Sequence, residues 1–230
     1  MAIQKGDFIK LSYTGKLQNG VIFDTTDANV ARENGVYNEK VNYGPETIVV
    51  GKGYVVAGLD EDLIGKDVGE KGHVEIPPEK GFGMRRLDLI ETIPAKKFKE
   101  KVKPGMRVQV QGRTGVVEST AGGRVRINFN PMLAGETLIY DYTVDELIEG
   151  TDKKVDAILK MYSSQELGHK TEGDKVIVEV PKELGYNQRW LIAKGVAANE
   201  IMEQDDIKEV VFQETYAKTE APKAEEEKKE

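Results

Sequence analysis

Short apolar runs separated by glycine and proline dominate the first 150 positions of the chain. Phe8-Ile9-Lys10-Leu11-Ser12-Tyr13 reads as an opening β-strand. Asn19-Gly20 is a tight-hairpin signal, and Val21-Ile22-Phe23-Asp24 returns from it. Side chains alternate along a strand, so Phe23 and Asp24 are expected on opposite faces. Residues 25 to 47 are polar and broken by Asn34-Gly35 and Gly44-Pro45, an extended loop with one helical turn. Ile48-Val49-Val50 is a short strand that ends at Gly51. Apolar Val55, Val56, Leu59 and Leu63 have the period of a short amphipathic helix, which Gly65 closes. On that helix Asp60, Glu61 and Asp62 read as a solvated face helped by the N-terminal dipole rather than as a metal or acid cluster. Gly69 to Ile76 is a strand stopped by Pro77-Pro78, and Phe82 follows between two glycines. From composition alone Phe82 is expected to plug the space under its loop.

The pattern changes at residue 84. Arg107-Val108-Gln109-Val110, Thr114 to Val117 and Arg124 to Phe129 alternate cleanly, with a turn at Ala121-Gly122-Gly123. This predicts a small β-module with one face half exposed. About 45 residues cannot hide all of that module's apolar face. Asn130 to Gly135 is a turn, and Thr137 to Val144 is apolar enough for a central strand. Beyond a charged junction at 149 to 154, the order is a helix (155 to 162), a strand (175 to 180), a helix (188 to 202) and a strand (207 to 216). The second helix is marked by Leu191, Ile192, Val196, Ile201 and Met202 and weakened by Gly195. Residues 218 to 230 are Lys, Glu, Ala and Pro with a single Thr, the composition of a disordered tail.

Composition narrows the function classes. The net charge of −7 argues against nucleic acid, whose phosphates call for clustered Lys and Arg. There are no cysteines, which removes disulfides and thiol chemistry and fits a reducing compartment. No run approaches the ~20 apolar residues of a membrane span, and residues 1 to 7 lack a signal-peptide core. A cytoplasmic protein is expected. Gly51-Lys52-Gly53 opens like a dinucleotide fingerprint, but its third glycine would fall at Val56, and no βαβ unit follows. His73 and His169 are isolated, and make neither a metal site nor a nucleophile–base pair.

The pieces together resemble the FKBP-type peptidyl-prolyl isomerases. The carriers are Tyr13-Thr14-Gly15, Asn19-Gly20, Phe23-Asp24, Val55-Val56-Ala57-Gly58-Leu59, Gly81-Phe82-Gly83 and Leu138-Ile139-Tyr140, in order over residues 5 to 84 and 131 to 148. The module at 84 to 129 sits where SlyD-like and long-chain members insert a chaperone domain in the flap, and Asn130 to Gly135 looks like that subgroup's exit segment. The C-terminal region resembles the dimerisation module of long archaeal-type members.

The resemblance implies an α+β fold: a half-barrel antiparallel sheet wrapped on the short helix, an inserted β-rich domain and a C-terminal α+β domain. Its divisions are 1–84 with 131–150, 85–130, 151–217 and a tail at 218–230. The implied pocket comprises Tyr13, Phe23, Asp24, Val55, Val56, Leu59, Phe82 and Tyr140, with Leu133 as a neighbour. In the family the amide at the Val56 position holds a substrate carbonyl, and the carboxylate at the Asp24 position lies near the rotating bond. Four positions depart from the family pattern: Leu59 stands for Trp, Phe82 for Tyr, Glu46 for an apolar wall residue and Pro131 for His.

The implied function is isomerisation of X–Pro bonds coupled to chaperoning of unfolded polypeptide, in a homodimer, without cofactor, metal, nucleic acid or membrane. A holdase with a vestigial pocket is the alternative. A purely structural module is opposed by the Phe23-Asp24 pair, on the expectation that Asp24 is buried and that burying a carboxylate is costly.

Overall fold

The computed structural model describes residues 2–204 and 207–216. The chain divides into two compact units, 1–147 and 148–230.

In the first unit a five-stranded antiparallel sheet carries the fold. Its strands are β1 (Phe8–Leu17), β2 (Ile22–Thr25), β3 (Glu46–Val49), β4 (Lys71–Ile76) and, after the insert, β9 (Leu138–Ile148). They run in the order β2-β1-β9-β4, and β3 also pairs with β1. The expected central strand is therefore central, and it extends four residues further than its apolar run. Its alternation places Leu138, Tyr140, Tyr142 and Val144 in the core. Between β2 and β3 lies a six-residue helix, α1 (Ala28–Glu33), capped by the Asp27 side chain. The short helix α2 (Ala57–Asp62) packs against the sheet. Leu59 and Leu63 enter one buried cluster with Ile9, Leu11, Ile48 and Tyr140. Gly58 is required where α2 meets β4, because a Cβ there would sit 2.5 Å from Ile76 Cγ2.

The acidic run on α2 corrects the expectation of a solvated face. Asp60 is only 7% exposed. Its two carboxylate oxygens accept the backbone N–H groups of Gly51 (2.7 Å) and Gly53 (3.1 Å). It ties down the turn after β3, which runs through Gly51 and Gly53 at positive φ. Glu61 pairs with Lys80, and Asp62 accepts the Tyr142 hydroxyl.

The insert is a four-stranded antiparallel sheet in the order β5-β8-β7-β6: β5 (Ile90–Pro94), β6 (Arg107–Val110), β7 (Arg113–Ala121) and β8 (Arg124–Asn128). The edge strand β5 went unseen in the sequence, because Glu91, Thr92 and Pro94 dilute its apolar positions. Its fully buried core is small: Ile93, Val117, Val125 and Ile127. The two chain crossings into the insert are clasped. Asn130 accepts the Arg86 N–H and donates to the Arg86 carbonyl, both at 2.8 Å. The Gly135 N–H donates to Gly83 O, also at 2.8 Å.

The second unit holds α3 (Thr151–Ser163), β10 (His169–Glu172), β11 (Lys175–Val180), α4 (Gln188–Met202) and β12 (Glu209–Glu214). The sheet order is β10-β11-β12, antiparallel then parallel. β10, with sequence His-Lys-Thr-Glu, is a polar edge strand with no apolar signal. Helix α4 runs through Gly195 unbroken. Its buried face is Trp190, Ala197 and Ile201, and the Trp190 ring stands edge-on to Phe212. Of the five residues that marked this helix in the sequence, four are exposed and only Ile201 is buried. The expected tail at 218–230 lies outside the described residues. Among the described residues no helix is long and apolar enough to cross a membrane.

Candidate active site

The site is built on the hairpin of β1 and β2. Asp24 opposes Gly15 in the register and Ile22 opposes Lys16, so Phe23 has no counterpart. This is a β-bulge, which inserts one residue and re-aims side chains. The expectation that Phe23 and Asp24 face apart is corrected here, since both reach the same aromatic group. The Phe23 ring stands edge-on to Tyr140, centroids 5.7 Å apart. The Asp24 carboxylate lies 3.2 Å from the Tyr13 hydroxyl. Asp24 is exposed, not buried. No cost of burial therefore opposes a purely structural role, and the part Asp24 plays rests on its hydrogen bond and its neighbours.

Four rings form a continuous edge-to-face series. Tyr13 meets Tyr140 at 5.7 Å, Tyr140 meets Phe23 at 5.7 Å, and Phe23 meets Phe82 at 6.3 Å. Such contacts favour T-shaped geometry because ring faces are electron-rich and edges are not. Phe82 comes from the loop after β4 and is 40% exposed, so it caps the series as a rim instead of plugging a core. Beneath the rings, Leu59 is fully buried. Tyr13, Phe23, Val55, Val56 and Leu133 pack partly buried against the cluster that contains Leu59 and Tyr140. All nine residues expected at the pocket thus belong to one ring-and-aliphatic assembly or border it. Val56 is the N-cap of α2, with extended backbone and no side-chain cap. A helix start leaves its first amides without intrahelical partners.

Sequence reasoning left Glu46 out of the pocket as a mere departure from pattern. The structure brings its carboxylate to 3.0 Å from the Tyr13 hydroxyl. The signal was present in the pairing of β3 with β1, where Glu46 opposes Leu11, two residues from Tyr13. Burial, then the charges of Glu46 and Asp24, push the Tyr13 phenol well above its usual range. Burial, then Asp24, does the same to Tyr140. Both phenols are thus held neutral as hydrogen-bonding groups. Elsewhere in the unit, Lys16 and then His73 hold Asp141, at 2.7 and 2.6 Å, and keep its carboxyl below the usual range. In the second unit His169 lies between Asp152 and Asp156. Among the described residues no group of three or more His, Cys, Asp or Glu is placed to hold a metal ion.

A cluster of rings and aliphatic side chains bordered by hydrogen-bonding groups suits a compact apolar side chain flanked by polar backbone. The comparisons name the class. Residues 1–135 match the family described as FKBP-type peptidyl-prolyl cis-trans isomerase, and residues 151–217 match the family described as FKBP26_C-terminal. The short-type peptidyl-prolyl cis-trans isomerase of Methanocaldococcus jannaschii is 34% identical over 148 residues, 63% of this chain and 94% of that protein. The FKBP-type isomerase SlyD of Haemophilus influenzae is 27% identical over 161 residues, covering 67% and 77%. SlyD of Treponema pallidum is 28% identical over 165 residues, covering 69% and 86%. This chain belongs to the FKBP-type peptidyl-prolyl cis-trans isomerases, and its activity is rotation about X–Pro bonds.

Proposed function

We propose that this isomerase is also a chaperone, whose insert holds unfolded or proline-containing polypeptide and delivers X–Pro bonds to the aromatic pocket. The observation that carries the reading is the apolar surface of the insert. Phe98, Val102, Val108, Val110 and Phe129 are only partly buried around its small core. Met84, Leu87, Met106 and Met132 are exposed on or beside its crossings. Contiguous apolar surface marks interaction sites, and methionine adapts to varied partners.

In the pocket, the proline ring is bound against Phe23, Phe82 and Tyr140 over Leu59. The Val56 amide holds the carbonyl, and Asp24 lies near the rotating bond. The barrier to rotation is ~18–20 kcal/mol, because amide resonance is lost. The twisted amide is less dipolar than the planar one, so an apolar pocket disfavours the planar ground state more. A 10⁴-fold acceleration requires only about 5.5 kcal/mol. Ring burial and aimed hydrogen bonds are of that size together, and no proton transfer or covalent step is needed.

The second unit is proposed to form a homodimer, supported by the exposed apolar residues of α4. A chain without cysteines needs no oxidising compartment, and the proposed setting is the cytoplasm.

Deleting residues 86 to 128 tests the division of labour. Activity on a short X–Pro peptide is expected to persist, while proline-limited refolding of an unfolded protein slows sharply. Equal loss on both substrates would refute the reading. In the same refolding assay, Asp24→Ala tests the pocket. If aggregation suppression persists and the parent shows no isomerase rate, the protein is a holdase.

A further inference from the structure

We infer that Glu46 is a specificity-determining residue of the isomerase site, and that with Asp24 it selects substrates carrying Lys or Arg next to the proline. The inference rests on the isomerase reading of the aromatic pocket and concerns which peptides that pocket prefers.

The geometry is one of excess acceptors. The Tyr13 hydroxyl lies 3.0 Å from Glu46 Oε2 and 3.2 Å from Asp24 Oδ2. A phenol has one proton, so it donates to one of these carboxylates at a time. The other is left with no donor from Tyr13. Both carboxylates are exposed at the pocket mouth, where a substrate side chain can reach them.

Their surroundings sharpen the point. Several carboxylates elsewhere in this unit have cation partners: Glu146 has Lys10, Asp141 has Lys16, and Glu61 has Lys80. Among the described residues neither Asp24 nor Glu46 makes an ion pair with a lysine or arginine. Two negative charges thus converge on one neutral phenol in the pocket wall, and the cation that would complete the set comes with the substrate. An ammonium or guanidinium carries several donors and can satisfy both carboxylates while Tyr13 keeps its own bond. A substrate carboxylate at the same place would meet two like charges.

The test uses the full chain and three peptides that differ only in the residue before proline: Lys, Leu or Glu. Exposed charge contacts are individually modest and screened by salt. At low ionic strength kcat/KM is therefore expected in the order Lys, Leu, Glu, with a Lys-to-Glu ratio of about tenfold that shrinks towards one at high salt. Glu46→Gln is expected to narrow the ratio, and Glu46→Lys to invert the order. Equal rates on the three peptides, or a ratio unchanged in both variants, would overturn the inference while leaving the isomerase reading intact. No acceleration on any peptide would overturn both.

Discussion

Gly15 lies beneath the ring of Phe23. A Cβ on Gly15 would stand 2.7 Å from Phe23 Cζ and 3.0 Å from Tyr140 Cε1. The glycine therefore makes room for the bulged Phe23 to fold over β1 and meet Tyr140. Gly15→Ala should push the Phe23 ring out of its edge-to-face contact, since overpacking of this kind costs roughly 1–3 kcal/mol. Isomerase kcat/KM is expected to fall about tenfold, equivalent to ~1.4 kcal/mol of transition-state stabilisation, with a smaller loss of thermal stability. Parent-like activity in Gly15→Ala would show that the ring contact is not part of the working site.

Phe82 separates activity from stability in the opposite sense. Its ring is 40% exposed and stands edge-on to Phe23. An edge-to-face pair contributes about 0.5–1.5 kcal/mol, so Phe82→Ala should lower the unfolding free energy by about 1 kcal/mol at most. Activity should fall more than that, mainly through KM, because the ring forms the rim against which proline is proposed to bind. Denaturant unfolding and a peptide assay on one preparation distinguish the two effects. A large stability loss with unchanged KM would mean that Phe82 is a packing residue after all.

Asp60 is a structural carboxylate, and its removal should be felt in the fold. Without it the Gly51 and Gly53 amides lose their acceptor, and an orphaned donor costs about 1–3 kcal/mol. Asp60→Ala is expected to destabilise the first unit by about 2 kcal/mol. Asp60→Asn retains one carbonyl acceptor and should lose roughly half as much. Chemical denaturation followed in the first unit checks the order of the two variants.

These residues also show what the sequence could and could not reveal. Strands with strong apolar alternation, β1, β9 and β11, were legible, as was the helix at 188–202. The polar edge strands β5 and β10 were not, because an edge strand can be held by backbone hydrogen bonds while its side chains face water. Asp60 reads like any solvated acid until the turn at Gly51–Gly53 folds back upon it. The bulge at Phe23 is a property of pairing register, and strict alternation predicts the wrong face for Asp24. Glu46 required knowing that β3 lies beside β1. For α4, the helical period was visible but the buried face was not. The most apolar stripe lies outward, and Trp190, Ala197 and Ile201 fill the core.

The tyrosines provide a pH test. Burial comes first among the causes that raise Tyr13, Tyr140 and Tyr142, followed by Glu46, Asp24 and Asp62 as neighbouring acids. Below the ordinary phenol value of about 10 the folded and unfolded chains hold the same phenolic protons. Above it the unfolded chain releases them first, so the stabilising contribution of these three groups is lost as pH rises further. Phenolate absorbance of the folded protein near pH ~11 should fall short of that of the unfolded chain, and Tyr13→Phe should reduce the shortfall. Coincident titration of folded and unfolded chains would contradict the buried, acid-flanked placement.

The outward face of α4 leads to the last prediction. Ile192 is 80% exposed and Val196 48% exposed, four residues apart on one side of the helix. Arg189, Asn199 and Glu203 continue the same stripe at spacings of three and four, and all three are exposed. A second copy packed antiparallel would bring the apolar pair against its own equivalent, and the basic end of one stripe against the acidic end of the other. An isologous contact requires this self-complementarity. Light scattering of the full chain is therefore expected to give the mass of a dimer. Ile192→Lys places two like charges at the centre of the contact and should yield a monomer with both units folded. Truncation after Glu149 removes the second unit and should leave the first as a monomer. A chain that is monomeric throughout would remove the dimer reading. A dimer that survives Ile192→Lys but not the truncation would move the contact to another face of the second unit.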